Sequence, residues 1–293
     1  MSSLPEHDPR RKSDAGKHPE AEVERLRRLC AQMGGLLRGI REEALAMQDR
    51  QSPAGFLQVH GVQCFSQSRR CGRPGGDFFD FRATNPDELM AGVGNVPVDG
   101  VAGPILVCQL HAILRSVGAR DADLPALMGE LNHMLWDGAP ESVSASFFCA
   151  RINPGLGRLH YVNAGHAPAL LLRAGGRAER LDPNSAMLGL SRRSTYIQRT
   201  IGFQPGDTLM AFTEGAEEGV IDLLRDGTAA VSTKCDSIRD LPSRIISAAE
   251  AAPAHGISDR TVVVVHYSGA ESRSVAPSPA SLRLKTVAVA AAA

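Results

Sequence analysis

The feature that most constrains the fold is a series of short apolar runs between residues 56 and 267. Each run has 5 to 10 residues rich in branched or aromatic side chains, and most are joined by Gly, Pro, Asn or Asp, so they predict β-strands. The runs lie at residues 56–65, 88–93, 144–152, 158–162, 167–172, 196–203, 208–212 and 260–267. Only residues 163–166 separate two of them, and so short a link favours antiparallel pairing.

Helical periodicity occurs in separate blocks rather than between successive strands. Apolar residues recur at helical spacing in residues 101–117, 124–136 and 238–251. A doubly wound parallel sheet would need regular alternation of strand and helix, which the order of these blocks lacks. The sequence therefore predicts an α+β fold built in layers.

The two ends of the chain have different patterns. Residues 1–18 are polar and rich in Pro, Lys and Arg, which predicts a disordered segment. Residues 19–50 predict a helical linker, because apolar residues within 21–47 recur every seven positions, with a second row between them, as in a coiled-coil seam. The rows consist of Leu26, Met33, Ile40 and Met47, and of Leu29 and Leu36. Residues 269–293 are rich in Ser, Pro and Ala and predict a flexible tail.

The coiled-coil pattern has two interpretations. A dimerisation or signalling helix would present the apolar rows to a partner, and a homodimer through residues 21–47 is the assembly that this interpretation predicts. An ordinary helix would bury the same rows on its own domain. Gly34 and Gly35 each cost a helix up to about 1 kcal/mol relative to Ala, so the sequence leaves both interpretations open.

Charge and composition argue against several classes of function. The chain has 32 basic and 32 acidic side chains and no net charge, which argues against a broad basic surface for nucleic acid. No apolar stretch approaches the roughly 20 residues needed to cross a bilayer, and the N-terminus lacks the apolar core of a secretory signal. We therefore expect a cytoplasmic protein without membrane insertion. The six cysteines form no Cys-x-x-Cys pair, which argues against a structural zinc site.

Acidic residues occur in turns at the ends of the predicted strands. Asp77 and Asp80 lie in residues 75–81, and a second Gly-rich turn covers residues 92–100. Two further acidic turns cover residues 213–219 and 258–261. Carboxylates in separate loops at strand ends are the oxygen ligands that Mg²⁺ and Mn²⁺ prefer. Spacing alone does not show that these loops converge, and a turn aspartate beside a strand is the alternative.

The order and the residues of these turns resemble the motifs of the PPM superfamily of metal-dependent protein serine/threonine phosphatases, in its bacterial SpoIIE/RsbU-like branch. The matching motifs lie at residues 75–81, 94–103, 163–168, 188–190, 206–208, 212–215 and 258–261. The resemblance extends over about residues 55–268, which we take as the phosphatase-type domain. It implies a four-layer α-β-β-α sandwich of two mainly antiparallel sheets flanked by helices. It also implies loops that hold two Mn²⁺ or Mg²⁺ ions, whose bridging water attacks a phosphoserine or phosphothreonine.

The metal ligands of that family are only partly present. Asp77 is retained, but Asn95 replaces the bridging aspartate of a motif that resembles Gly-Asp-Val-Ser-Gly-His-Gly. Glu214 replaces the aspartate of Thr-Asp-Gly, and Ser258 replaces the first aspartate of the closing motif. The matched set therefore falls from four negative charges to two. By resemblance, the metal-site positions are Asp77, Asn95, Val96, Glu214, Ser258 and Asp259.

Neighbouring residues are candidates for supporting roles. Asp80, Asp99 and Asp259 could restore part of the missing charge. His166 could act as a general acid, or it could brace the predicted hairpin beside the site. Arg73 precedes the first acidic turn and is a candidate for binding the substrate phosphate, with a solvated surface arginine as the alternative.

Two hypotheses about function follow. We favour a pseudophosphatase, a regulator that recognises a phosphoprotein with weak or lost metal-dependent hydrolysis of phosphoserine or phosphothreonine. The alternative is an active Mn²⁺- or Mg²⁺-dependent protein serine phosphatase of bacterial signalling with a rearranged ligand set. For either, the resemblance implies a phosphorylated regulatory protein as partner, such as an anti-sigma-factor antagonist.

Overall fold

The computed structural model describes residues 19–52, 55–70, 76–98, 100–117, 123–140, 143–225, 238–252 and 258–269. The helices in these ranges are α1 (Pro19–Gln51), α2 (Ala102–Val117), α3 (Leu124–Gly138), α4 (Glu217–Arg225) and α5 (Leu241–Ala251). The strands are β1 (Phe56–Val59), β2 (Val62–Arg69), β3 (Asp77–Asn85), β4 (Glu88–Asn95), β5 (Ser146–Asn153), β6 (Arg158–Ala164), β7 (Ala169–Leu172), β8 (Ala178–Leu181), β9 (Arg199–Gly202), β10 (Thr208–Phe212) and β11 (Arg260–Tyr267). A 3-10 turn, Glu214–Ala216, joins β10 to α4.

The strands form two antiparallel sheets. The first sheet has the order β1-β2-β11-β10-β7-β8, and the second has the order β3-β4-β5-β6-β9. Every strand pair is antiparallel. Helices α2 and α3 contact the second sheet, whereas α5 contacts the first. Helix α4 packs on α5, so the layers are helix, sheet, sheet and helix. The predicted four-layer α+β sandwich is confirmed.

The apolar runs in the sequence become strands because both faces of each sheet are covered. In β11 the consecutive valines alternate, so that Val263 and Val265 pack between the sheets. Val262 and Val264 pack beneath α4 and α5. A strand buried on both faces reads as a continuous apolar run rather than an alternating one. The third core lies between the second sheet and helices α2 and α3, and includes Phe147.

The predicted element boundaries required several corrections. Residues 56–65 form two strands, because His60 and Gly61 both take positive φ values, 43° and 78°, and make a tight turn. Of the predicted strand 196–203, only Arg199–Gly202 forms a β-strand. The sequence predictions did not include β8 and α4. The proposed disordered segment 1–18 and residues 270–293 of the proposed tail lie outside the described residues.

Helix α1 covers the predicted linker and contacts the domain through α2. Its heptad residues are not buried on the domain, because their exposed fractions range from 42% to 67%. These residues are Leu26, Leu29, Met33, Leu36, Ile40 and Met47. Near the end of α1, Met47 and Ile105 of α2 border an apolar groove. In the described part of the chain, no helix combines the length and apolar character required to cross a membrane.

The packing of α4 on α5 generates a prediction. A Cβ atom at Gly219 would overlap the backbone carbonyl of Ile245, so the two helices approach this closely only with glycine there. Gly219→Ala should lower the free energy of unfolding by about 1–3 kcal/mol in urea denaturation. Gly129→Ala in α3 is the matched control, because a Cβ there meets nothing within 4 Å. That control should be neutral or stabilising by up to about 1 kcal/mol, and equal effects of the two substitutions would contradict the packing argument.

Candidate functional site

A cleft of about 500 Å³ opens where turns from both sheets meet. Asp77 and Asn95 reach it from the second sheet, at the start of β3 and the end of β4. Glu214 and the pair Ser258 and Asp259 reach it from the first sheet, after β10 and before β11. The structure thus brings together residues from all four acidic turns.

Close backbone approach fixes the two turns of the second sheet. Asp77 and Asn95 are directly opposite each other in the β3–β4 register. The amide of Val96 donates a 3.0 Å hydrogen bond to the carbonyl of Gly76. A Cβ at Gly76 would overlap the backbone of Val96, so this approach requires glycine. The side chain of Val96 is fully buried in the core beneath α2.

The Asp77 carboxylate accepts hydrogen bonds from three side chains. The Asn95 amide donates to Oδ1. The hydroxyl groups of Thr213 and Thr261 donate to Oδ2 over 2.7 and 3.2 Å. Burial raises the pKa of Asp77 to about 6, the charge of Asp259 adds to this rise, and the three hydrogen bonds oppose it. Asp77 therefore joins the two sheets through neutral donors.

The two turns of the first sheet are locked together as well. The Thr213 amide donates to the Thr261 carbonyl over 3.0 Å, and the Thr261 amide donates to the Thr213 hydroxyl over 3.0 Å. A Cβ at Gly215 would overlap the carbonyl oxygen of Asp259, so the two turns lie in direct contact. Glu214 opens the 3-10 turn with an exposed side chain, and Asp259 is half-buried beside it.

His166 braces the cleft between the two sheets. Its Nε2 lies 3.2 Å from the carbonyl oxygen of Phe212, which can only accept, so we assign the proton to Nε2. Nδ1 then accepts from the Ser146 hydroxyl over 2.9 Å. Burial lowers the pKa of His166 to about 4, so the ring is neutral near pH 7. Because both ring nitrogens are engaged, this geometry favours the bracing role over the general-acid role.

The structure places three other candidates away from the cleft or leaves them undescribed. Asp80 was a candidate for restoring charge, but β3 alternates its side chains and turns Asp80 to the opposite face of the sheet. There its Oδ2 lies 3.7 Å from His111 Nδ1 and 3.8 Å from Arg115 Nε. The structure therefore does not bring Asp80 to the cleft with Asp77. Arg73 and Asp99 lie outside the described residues.

Several residues that hydrogen-bond to Asp77 were not predicted from the sequence. Thr213 and Thr261 stand in the motifs themselves, and their hydroxyl groups next to acidic positions were the available signal. The Gln48 side chain is buried and donates a 2.9 Å hydrogen bond to the Asp77 carbonyl. This contact connects α1 to the cleft. No pattern in the sequence marks Gln48, because the contact joins residues that are 29 positions apart.

The donor set does not fit a two-cation centre. Such a centre needs several carboxylate oxygens directed at one point, at fixed distances from the ions. Asn95 directs its N–H donor at Asp77, and Ser258 carries a neutral hydroxyl in place of a carboxylate. Within the described ranges, no three His, Cys, Asp or Glu side chains are grouped closely enough to hold a metal ion. In the described residues, hydrogen bonds hold together the turns that line this polar cleft.

Comparisons with known proteins agree with this fold. Protein IcfG of Synechocystis sp. is 23% identical over 170 residues, which are 49% of this chain and 27% of IcfG. The structure of the RsbU and RsbW domains of Rv1364c from Mycobacterium tuberculosis has a TM-score of 0.64 and 22% identity, and the match covers 73% of this chain and 62% of that one. The SiaA-PP2C domain of Pseudomonas aeruginosa has a TM-score of 0.61 and 19% identity, covering 82% and 98%.

These similarities differ in what they establish. At such identities, the solved structures establish the fold alone. The chain spans about a quarter of IcfG and less than two thirds of the Rv1364c chain. The family model for stage II sporulation protein E matches residues 85–267, which is more than half of the chain. The chain therefore belongs to the SpoIIE family, within the SpoIIE/RsbU-like PPM phosphatases.

Proposed function

We propose that the chain is a pseudophosphatase of the SpoIIE family. In this proposal the domain recognises a phosphorylated protein at the cleft around Asp77 and has weak or lost metal-dependent hydrolysis. The observation that carries the proposal is the hydrogen bond from the Asn95 amide to the Asp77 carboxylate.

Two carboxylates directly opposite each other on neighbouring strands repel each other. Asp77 and Asn95 are cross-strand partners, and two carboxylates in these positions would repel each other unless a cation lay between them. An asparagine removes this repulsion and donates a hydrogen bond to the remaining carboxylate. The protein therefore has no electrostatic need for a cation between β3 and β4. Replacing a bridging carboxylate should cost at least the 10- to 100-fold that substitutions around metal ligands commonly cost.

A phosphorylated regulatory protein is the partner that we propose, such as an anti-sigma-factor antagonist. Support comes from the similarity to a chain that contains an RsbU and an RsbW domain. Cytoplasmic signalling remains part of this proposal. A polar cleft of about 500 Å³ is large enough for a phosphorylated side chain and its neighbours.

The alternative is an active phosphatase with a rearranged ligand set. The observation that favours it is that Asp77, Glu214 and Asp259 line the same cleft. If side-chain rearrangement brought these carboxylates around one or two Mn²⁺ or Mg²⁺ ions, the metal would supply an activated water and neutralise charge on the phosphoryl group.

We further propose that the chain forms a homodimer through residues 21–47. The exposed heptad rows of α1 support this proposal, because an exposed apolar seam of this period is complementary to a second copy of itself. A helix of 33 residues is about 50 Å long, which leaves room for several heptads.

The first prediction of this proposal concerns activity. The wild type and Asp77→Asn should hydrolyse p-nitrophenyl phosphate equally slowly across a Mn²⁺ titration, because neither holds the required charge. The double variant N95D/S258D should gain Mn²⁺-dependent turnover of at least about 10-fold. Its melting temperature without Mn²⁺ should fall and should recover with Mn²⁺, because two adjacent carboxylates then need a cation. Strong wild-type turnover that Asp77→Asn abolishes would establish the active alternative instead.

The second prediction concerns pH and Asp77. Its ordinary pKa is 3.8 and burial raises it to about 6, so the folded state binds the proton more tightly than the unfolded state does. The stabilising contribution is complete below about pH 4 and is lost as the pH rises through about 6. Between pH 4.5 and 7, in EDTA, wild-type stability should fall relative to Asp77→Asn by about 2 kcal/mol in urea unfolding. A constant difference between the two proteins would show that Asp77 has an ordinary pKa.

The third prediction concerns the oligomeric state. Met33→Glu combined with Ile40→Glu should convert a dimer to a monomer in sedimentation equilibrium, because both side chains lie in the exposed seam. Leu156→Glu is the matched control, since Leu156 is also exposed but lies in the β5–β6 turn. A wild-type monomer, or a dimer that survives the double substitution, would refute the α1 interface.

A further inference from the structure

One exposed surface beside the cleft combines apolar and basic side chains. It consists of Trp136 near the end of α3 and of Leu190, Arg192 and Arg193 in the loop between β8 and β9, and we call it the Trp136 surface. Trp136 is 48% exposed and Leu190 is 60% exposed. Gly189 packs against Leu135, because a Cβ atom placed on Gly189 would lie only 3.1 Å from the Cβ of Leu135. Leu190 and Trp136 are the next residues along the chain after this contact.

A buried asparagine holds this loop in place. Asn132 of α3 is fully buried, and its Oδ1 accepts hydrogen bonds from the Gly189 amide over 2.8 Å and from the Tyr196 hydroxyl over 3.0 Å. Its Nδ2 donates to the Ser191 carbonyl over 3.0 Å. Gly189 takes a φ of 77°, which a residue with a side chain would rarely adopt. The loop is therefore fixed from both sides by the core of α3.

The same loop is continuous with the cleft. Leu188 and Ala145 exchange two backbone hydrogen bonds of 2.9 Å. Met187, immediately before, lines the cleft and packs against Gly165. Ser146, immediately after Ala145, holds His166. The Trp136 surface and the cleft are thus parts of one hydrogen-bonded unit.

A rigid loop with exposed apolar side chains is well suited to binding a partner. Loops fixed in their bound conformation avoid the ordering cost of association, and tryptophan and arginine are the residues most enriched at energetically dominant contacts. Arg192 Nε lies 3.6 Å from Asp137 Oδ1, but both side chains are largely exposed, so this pair contributes little and leaves the basic charge accessible. Arg193 is exposed beside it.

We propose that the Trp136 surface docks the phosphoprotein partner next to its phosphorylated residue. The segment that it accepts is acidic and carries one apolar side chain at a fixed distance from the phosphoserine, so that the apolar side chain meets Trp136 and Leu190 while the acidic residues meet Arg192 and Arg193. This proposal rests on the proposed recognition of a phosphoprotein and adds the determinant of its sequence specificity.

An oriented peptide library provides the first test. The probe is a library of peptides of about 15 residues with a central phosphoserine and randomised flanks, which spans up to about 50 Å when extended. The wild type should select acidic residues and one apolar residue at a fixed offset. Trp136→Ala and Leu190→Ala should lose the apolar selection, whereas R192A/R193A should lose the acidic selection. Leu156→Ala, at the far end of β5 and 65% exposed, should select as the wild type does.

Intrinsic fluorescence provides the second test, because Trp136 is the only tryptophan of the chain. The selected peptide should shift the emission to shorter wavelength and protect Trp136 from iodide. Leu190→Ala should weaken binding of the labelled peptide at least about 10-fold in anisotropy, the size expected for a dominant contact. Replacing the apolar residue of the peptide with serine should weaken binding of the wild type equally.

The outcomes separate this inference from the proposed function. Phosphate-dependent binding without a fluorescence change, and unaffected by Trp136→Ala and Leu190→Ala, would overturn the docking surface and leave the proposed function in place. Equal binding of the unphosphorylated peptide with the fluorescence change would support the surface and overturn phosphoprotein recognition. Selection of no peptide, or conversion of a dimer to a monomer by Leu190→Ala, would overturn the docking proposal.

Discussion

The hydrogen bonds around the Asp77 carboxylate are the interaction on which the arrangement of the site depends. Asp77 and Asn95 belong to the second sheet, and Thr213 and Thr261 belong to the first. These donors connect the two sheets at the edge where the cleft opens. In a low-dielectric environment, a carboxylate that satisfies three donors contributes more than an isolated pair, and losing one donor leaves a buried charge underpaired.

The second connection between the sheets is made by His166. It runs from Ser146 of β5 to the end of β10 and leaves no ring nitrogen free. The burial that raises the pKa of Asp77 also lowers the pKa of His166, so the protonated carboxyl form and the neutral imidazole are both favoured. A single cause, burial, therefore shifts both groups toward their neutral forms. Glu214 is exposed and Asp259 is half-buried, and both line the same cleft.

How much the sequence could predict depended on burial. Strands such as β11, covered on both faces, appear in the sequence as short apolar runs rich in branched residues, and the layered fold followed from their grouping. Helix α4 was missed because its first turn, with Glu217 and Glu218, has the composition of an acidic loop. Strand β8 was missed because it is a short edge strand with a polar sequence.

Within the site, motif order indicated which turns would meet, but it could not indicate the direction of a side chain within a turn. Asp77 and Asp80 are three residues apart, and the two-residue period of a strand places them on opposite faces. The contact from Gln48 depends on how α1 enters the domain, which local sequence does not determine.

A scaffold can persist after it has lost the charges that held a metal, provided that another interaction keeps its loops together. In the function we propose, the Asn95 amide and the two threonine hydroxyl groups take over this structural part of the metal's role. On this proposal, neutral donors hold the turns around the cleft together without a cation, and Asp77 alone would attract a cation only weakly. In the proposed pseudophosphatase, the hydrogen bonds around Asp77 would keep a recognition site permanently formed. The site would then lack the electrostatic field needed to activate water. In the pseudophosphatase that we propose, Asn95 would have opposite effects on the two functions, because it would stabilise the binding geometry and weaken catalysis.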